Sequence, residues 1–290
     1  MRSETEMMDL ILGVARGDER IRAVALNGSR TNPRAPKDIF QDYDIVYLVT
    51  EMESFLSDPH WIDIFGERII MQTPETMTLV PPGANGRFPY LMQFRDGNRI
   101  DLTLIPLEQQ EAYCREDSLT RILLDKDNRL PDLPAPDDAA YWVQPPTAAR
   151  FADCCNEFWW VAIYVAKGLW RQEFLYARAH LDRYVRDMLL AMLEWQAGIA
   201  TDFTVSAGKH GKYLERYLPA ASWRALLNTY AAGGYSQTWQ ALFAACDLFR
   251  ATARMVADHF GYAYPADEDE RVTAYLRHIQ ALPRDAAALD

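Results

Sequence analysis

The chain has 290 residues, 49% of them hydrophobic and 24% charged, with a net charge of −11. This is the composition of a globular protein with room for one large domain or two smaller ones. Residues 1–145 hold 15 Lys and Arg against 25 Asp and Glu, and residues 146–290 hold 15 against 16, so no basic stripe is offered to a nucleic-acid backbone.

In chain order, Met7, Leu10, Ile11 and Val14 recur at helical spacing within Glu4–Arg16. Ile21–Leu26 and Asp44–Val49 read as strands, and Arg68–Gln72 as a third. Tyr90–Phe94 and Arg99–Ile105 flank Asp96-Gly97, a strong hairpin signal. A helix is expected over "LEQQEAYCRE" and a last strand over "RILLDKD". The segment "RLPDLPAPDDAAYWVQPP", with five prolines, marks a linker or an extended crossing. Beyond it the pattern is helical: Ala148–Gly168, Arg171–Gly198, Lys212–Leu218, Ser222–Ala232, Ser236–Phe260 and Glu268–Leu282. The fold class expected is α+β, a mixed β-sheet domain with flanking helices over residues 1–145 and an all-α domain over 146–290. A cleft between two such domains is a usual place for a ligand.

The four cysteines, Cys114, Cys154, Cys155 and Cys246, form no Cys-x-x-Cys pair, which argues against zinc and against a disulfide framework. Cys154 and Cys155 are expected to fill a core as thiols. The acidic start "MRSETEMMDL" has no signal-peptide architecture, and the longest apolar run, Phe158–Ala166, is too short to span a bilayer. The cytoplasm is the expected compartment.

Chemistry concentrates in "LNGSRTNPRAPKDIFQDYDIVYLV", Leu26–Val49. On an extended strand, side chains two apart share a face. Asp42 and Asp44 therefore point one way, and Tyr43, Ile45 and Tyr47 the other. Two carboxylates so close repel unless a cation sits between them, which makes the pair a seat for Mg²⁺. In "NRIDLTLI", Asp101 faces away from Ile100, Leu102 and Leu104. It joins the pair if the two strands are neighbours and is otherwise a solvent-facing strand residue. Gly28 allows a tight turn, and Ser29 and Arg30 offer a hydroxyl, an N–H and a charge to phosphate. There is no P-loop, and "GKHGKY" at Gly208–Tyr213 does not make one.

Gly-Ser ending one strand, Asp-x-Asp opening the next and a lone Asp on a later strand together resemble the nucleotidyltransferase superfamily with the DNA polymerase β-like fold. "GSRTNPRAPKDIFQDYDIVYLV", "DGNRIDLTLI", "CCNEFWWVAIYVAKGLWRQE" and "SAGKHGKYLERYL" further resemble the aminoglycoside 6-adenylyltransferases, the streptomycin-modifying enzymes, over Met7 to about His278. The resemblance implies Mg²⁺-dependent transfer of AMP from ATP to the 6-hydroxyl of streptomycin, with release of pyrophosphate and resistance to the antibiotic. It makes residues 1–145 the catalytic domain and 146–290 the substrate-binding one. Asp42 and Asp44 would hold the metal, Asp101 would be a third ligand or the general base, and Gly28, Ser29 and Arg30 would grip the terminal phosphates. Lys209 and Lys212 lie either in a solvated loop or on the triphosphate, and the resemblance favours the triphosphate.

A cationic substrate calls for an acidic, aromatic pocket. Asp153, Glu157, Trp160 and Tyr164 form one stripe on the Ala148–Gly168 helix, suited to a stacked guanidinium or else to core packing. On the next helix, Asp182 between Arg178 and Arg186 reads as a solvated ion-pair stripe and as a weaker pocket candidate, and His180 and Glu173, on another face, are further candidates to line the substrate cleft. A monomer, with no nucleic-acid or membrane partner, is expected. Two competing readings are adenylylation of another target, a lincosamide or a protein side chain, and a non-catalytic drug- or nucleotide-binding protein. The latter would be accompanied by a broken acidic triad, and the triad here is intact.

Overall fold

The computed structural model describes residues 1–288 apart from 80–82 and 84. The chain divides into two compact units, Met1–Ala140 and Tyr141–Asp290. The first runs α1 (Glu4–Gly17), β1 (Ile21–Asn27), β2 (Tyr43–Val49), α2 (Met52–Leu56), β3 (Arg68–Gln72), β4 (Phe88–Phe94), β5 (Arg99–Pro106), α3 (Gln110–Tyr113) and β6 (Thr120–Asp125). Its strands form one mixed sheet in the order β3-β4-β5-β2-β1-β6. β2 and β5 run parallel, and the other neighbours are antiparallel.

Local chemistry explains these elements. Ser3 caps α1 in a capping box with Glu6, and Met7, Ile11 and Ala15 bury the helix on the sheet. Tyr43, Ile45, Tyr47 and Val49 enter the same core with Ile100, Leu102 and Leu104, each such side chain contributing roughly 1.5–3 kcal/mol. The Tyr47 hydroxyl donates to the carbonyl of Ile11 at 2.6 Å and ties helix to strand. On the other face, Val46 and Leu48 join a smaller cluster with Ala23, Ala25, Ile105 and Tyr113. Asp44 stands on that second face, just before its apolar cover begins.

The second unit contains α4 (Ala148–Trp170), α5 (Phe174–Ala179), α6 (Arg186–Ala200), α7 (Leu214–Tyr217), α8 (Ala220–Leu227), α9 (Tyr235–Phe260) and α10 (Ala266–Ala281). Thr147 caps α4, and Phe158 stacks on Phe249 of α9 at 3.8 Å between centroids. Cys154, Cys155 and Cys246 are buried free thiols. No helix among the described residues is long and apolar enough to cross a membrane.

Four expectations need correction. The helix expected over Arg171–Gly198 begins only at Phe174, because Gln172 adopts a positive φ of 61°. That helix also carries a π-helical turn, His180–Val185, between α5 and α6. "LEQQEAYCRE" gives only a 3-10 turn and the four residues of α3. The helix expected over Ser222–Ala232 runs Ala220–Leu227 and ends where the Thr229 hydroxyl bonds back to the carbonyl of Leu226. The segment Lys212–Leu218 is helical only over Leu214–Tyr217, after a turn in which Gly208, His210 and Gly211 all have positive φ.

Candidate active site

The parallel register of β2 and β5 sets Asp44 opposite Asp101, so the neighbourhood that the lone aspartate required is met. On its other side Asp44 faces Asn27 of β1, whose Oδ1 accepts a 2.6 Å bond from the Tyr113 hydroxyl. Asp42 precedes β2, within electrostatic reach of both other carboxylates.

Gly28-Ser29-Arg30 forms a 3-10 turn directly after β1. Gly28 has φ +70°, and a Cβ there would sit 2.4 Å from Asp44 Oδ2. The turn therefore presses its backbone onto the carboxylate, an approach only glycine permits. Gly28 N–H donates to the carbonyl of Leu119, and the Thr31 hydroxyl is 2.8 Å from the carbonyls of Gly28 and Leu119. Ser29 is half-buried, and its carbonyl accepts from Gln41 Nε2.

Arg30 is otherwise engaged. Its Nε and Nη2 donate to the carbonyls of Asp42 and Gln41 at 2.9 and 2.8 Å, and its guanidinium lies 3.7 Å from the Tyr43 ring centroid. It braces the loop that delivers Asp42.

The electrostatics follow from three carboxylates at the end of a partly covered sheet face. Burial, then repulsion by Asp101 and Asp42, pushes the Asp44 carboxyl up to about 6. Burial also raises Asp42, against the pull of Arg99. Arg99 lies two residues before Asp101 on β5 and therefore on the same face. It donates through Nε and Nη2 to the two oxygens of Asp101, at 2.8 Å each, and its Nε lies 3.6 Å from Asp42 Oδ2.

In the helical unit, Trp160 is 56% exposed rather than core, and its indole N–H donates to the Tyr164 hydroxyl at 2.8 Å. Tyr164 meets His180, which also packs against Tyr176 and Tyr184. The predicted residues Trp160, Tyr164 and His180 thus form one aromatic ladder, with exposed Glu157 one turn before Trp160. Trp160 and Tyr164 also line a cavity of about 390 Å³ with Lys167, Arg271 and Tyr275. Asp182 pairs with Arg178 at 2.8 Å and Arg186 at 3.7 Å. That stripe is only half solvated: Arg186 is 6% exposed, bonded to Thr229 and stacked on Tyr230. Lys209 and Lys212 are both exposed in the loop that opens at Gly208, where a Cβ would meet Lys212 Cγ at 2.8 Å. Lys209 borders a second cavity of about 500 Å³, with Trp142, Arg150, Glu194 and Trp195.

Comparison with known proteins decides what this arrangement belongs to. The family model described as streptomycin adenylyltransferase matches residues 1–279. This chain belongs to the streptomycin adenylyltransferase family. A protein of Bacillus subtilis named aminoglycoside 6-adenylyltransferase is 48% identical over 280 residues, covering 96% of this chain and 98% of that one. Its namesake from Campylobacter jejuni is 47% identical over 276 residues, 95% of each chain. A crystal structure of an aminoglycoside 6-adenyltransferase from Bacillus subtilis is 43% identical, covers 97% of this chain and 100% of its own, and has a TM-score of 0.49.

Membership of the streptomycin adenylyltransferase family makes the protein an enzyme, a nucleotidyltransferase. Its carboxylates fit a hard divalent cation: all donors are oxygens, and Asp44 bears repulsion from two neighbouring carboxylates. Mg²⁺ is commonly held by one or two carboxylates completed by phosphate oxygens and water. Among the described residues no group of three His, Cys, Asp or Glu side chains closes into a ready-made metal cluster, so the fit is to that open mode. Sequence reasoning missed Arg99, although its period-two spacing from Asp101 was the available signal.

Proposed function

We propose that the protein transfers AMP from ATP to the 6-hydroxyl of streptomycin, releasing pyrophosphate and inactivating the antibiotic. The observation that carries this reading is the pairing of Asp44 with Asp101 across β2 and β5, under the Gly28 turn. The hydroxyl oxygen attacks the α-phosphorus, the bond to the bridging oxygen of the β-phosphate breaks, and the hydroxyl proton passes to a carboxylate. When bound, Mg²⁺ supplies charge neutralisation on the triphosphate and acidifies the attacking hydroxyl. Asp42 and Asp44 would hold it. Gly28 and Ser29 offer backbone and hydroxyl groups to the phosphate tail, and Arg30 acts by bracing Asp42. Lys209 and Lys212 are proposed as further phosphate contacts. The ladder of Trp160, Tyr164 and His180, with Glu157 and Asp182 nearby in sequence, offers stacking and charge to guanidinium groups.

The names of the relatives support the acceptor class, and the acidic trio supports the metal. Asp101 is the proton acceptor or a third ligand, and Asp101→Asn separates the roles. A base predicts lost turnover with intact metal affinity, whereas a ligand predicts weakened affinity. The deciding assay is pyrophosphate release from ATP and Mg²⁺ across a panel of aminoglycosides. Release dependent on streptomycin and abolished in Asp44→Asn is expected. No release with streptomycin would overturn the reading.

A further inference from the structure

The carboxylate trio already has a cation of its own. Arg99 forks both oxygens of Asp101, and the same Nε stands 3.6 Å from Asp42. Its charged form is favoured by the bond to Asp101 and by the fields of Asp42 and Asp44. Among the described residues no side chain donates a hydrogen bond to the Asp44 carboxylate in this way; the pull of Arg99 and Arg30 works there against burial and two like charges. Arg30 has two donors spent on backbone carbonyls and does not share the work at Asp101. The Arg99 side chain is 39% exposed, so it has room to swing away.

From this we infer that Arg99 is a tethered counter-ion that occupies the metal seat of the free enzyme, so that a divalent cation must displace it from Asp101 and Asp42. Arg99 is a positioning residue acting through the carboxylates. The inference rests on the metal reading of those carboxylates and goes beyond it. A cation arriving beside Asp42 and Asp44 meets a fixed positive charge a few ångströms away, which weakens its binding until the guanidinium swings out. The fork also fixes the orientation of the Asp101 carboxylate, both of whose oxygens accept from Arg99.

The test uses the full chain without nucleotide, with Mn²⁺ as the probe, titrated calorimetrically and by the loss of the free-ion paramagnetic resonance signal. Arg99→Met removes charge and fork, Arg99→Gln keeps a hydrogen-bond donor without charge, and Arg99→Lys keeps charge without the fork. Arg99→Met and Arg99→Gln should bind Mn²⁺ about tenfold more tightly than the unmutated protein, the size expected when a neighbouring like charge is removed. Arg99→Lys should stay within about twofold, because its charge is retained. In chelator, the two neutral variants should melt at lower temperature than the unmutated protein, and Mn²⁺ should restore most of the difference. Unchanged or weaker Mn²⁺ binding in both neutral variants would overturn the inference while leaving the metal reading intact. Absence of Mn²⁺ binding in every protein, the unmutated one included, would overturn the metal reading and the inference with it.

Discussion

Asp44 shows most clearly what function costs at a single residue. Its carboxyl is pushed from 3.8 up to about 6 by burial and by its acidic neighbours. The folded protein therefore binds that proton more tightly than the unfolded chain. Stability is unpenalised below about pH 4, falls as pH rises through 6, and carries the whole cost at pH 7.5 when no metal is present. Asp44→Asn should thus stabilise the chelator-treated protein by about 1–3 kcal/mol at pH 7.5, and the gain should vanish near pH 3.5. Urea melts at the two pH values measure it, and equal gains at both would refute the assignment. Gly28 is the complementary case. Gly28→Ala sets a methyl 2.4 Å from Asp44 Oδ2 at a positive φ. It should lower stability by roughly 1–3 kcal/mol and cut pyrophosphate release at least tenfold, because the carboxylate must shift; unimpaired release would show that the turn does not position Asp44.

Among the elements, those with a strict period were legible. β2 declares its faces through Tyr43, Ile45 and Tyr47, all buried together, whereas β3, Arg68–Gln72, was readable to its ends from its apolar run without any alternation of burial. The strand order was not legible. Nothing local in Asp44–Val49 or Arg99–Ile105 says that the two strands run side by side in parallel, and that pairing is what turns three aspartates into one site. Long-range interactions also decided the helical unit. Arg186 looks solvated by its spacing from Asp182, yet it is held inside by Thr229 and Tyr230, more than forty positions on. Thr229→Val removes the hydroxyl that Arg186 Nη1 uses, and should cost about 1–3 kcal/mol for the donor left unpaired, with the Michaelis constant for streptomycin unchanged. Trp160→Ala, at the exposed end of the ladder, should do the reverse: a several-fold higher Michaelis constant with the melting temperature little changed. A shared fall in stability for both variants would count against the ladder as a binding surface.

Across the whole molecule, charge is partitioned by unit. Residues 1–140 contain all 15 Lys and Arg and all 25 Asp and Glu of the N-terminal half, and the helical unit is nearly balanced, at 15 against 16. The unit that holds the carboxylate trio therefore carries almost the entire net charge of −11. Such a field draws in a cationic acceptor and opposes an anionic nucleotide, and salt weakens both effects. Raising ionic strength from about 20 to about 200 mM at fixed Mg²⁺ shortens the screening length about threefold. The specificity constant kcat/KM for streptomycin should then fall several-fold, whereas that for ATP should hold steady or rise. The contrast in sign is what isolates the field from a general effect of salt on folding or turnover, which would move both substrates together. A parallel fall for both would show that the acidic surplus acts only on solubility. A fall for streptomycin that persists after the surface carboxylates remote from Asp42, Asp44 and Asp101 are neutralised would place the attraction in the trio itself.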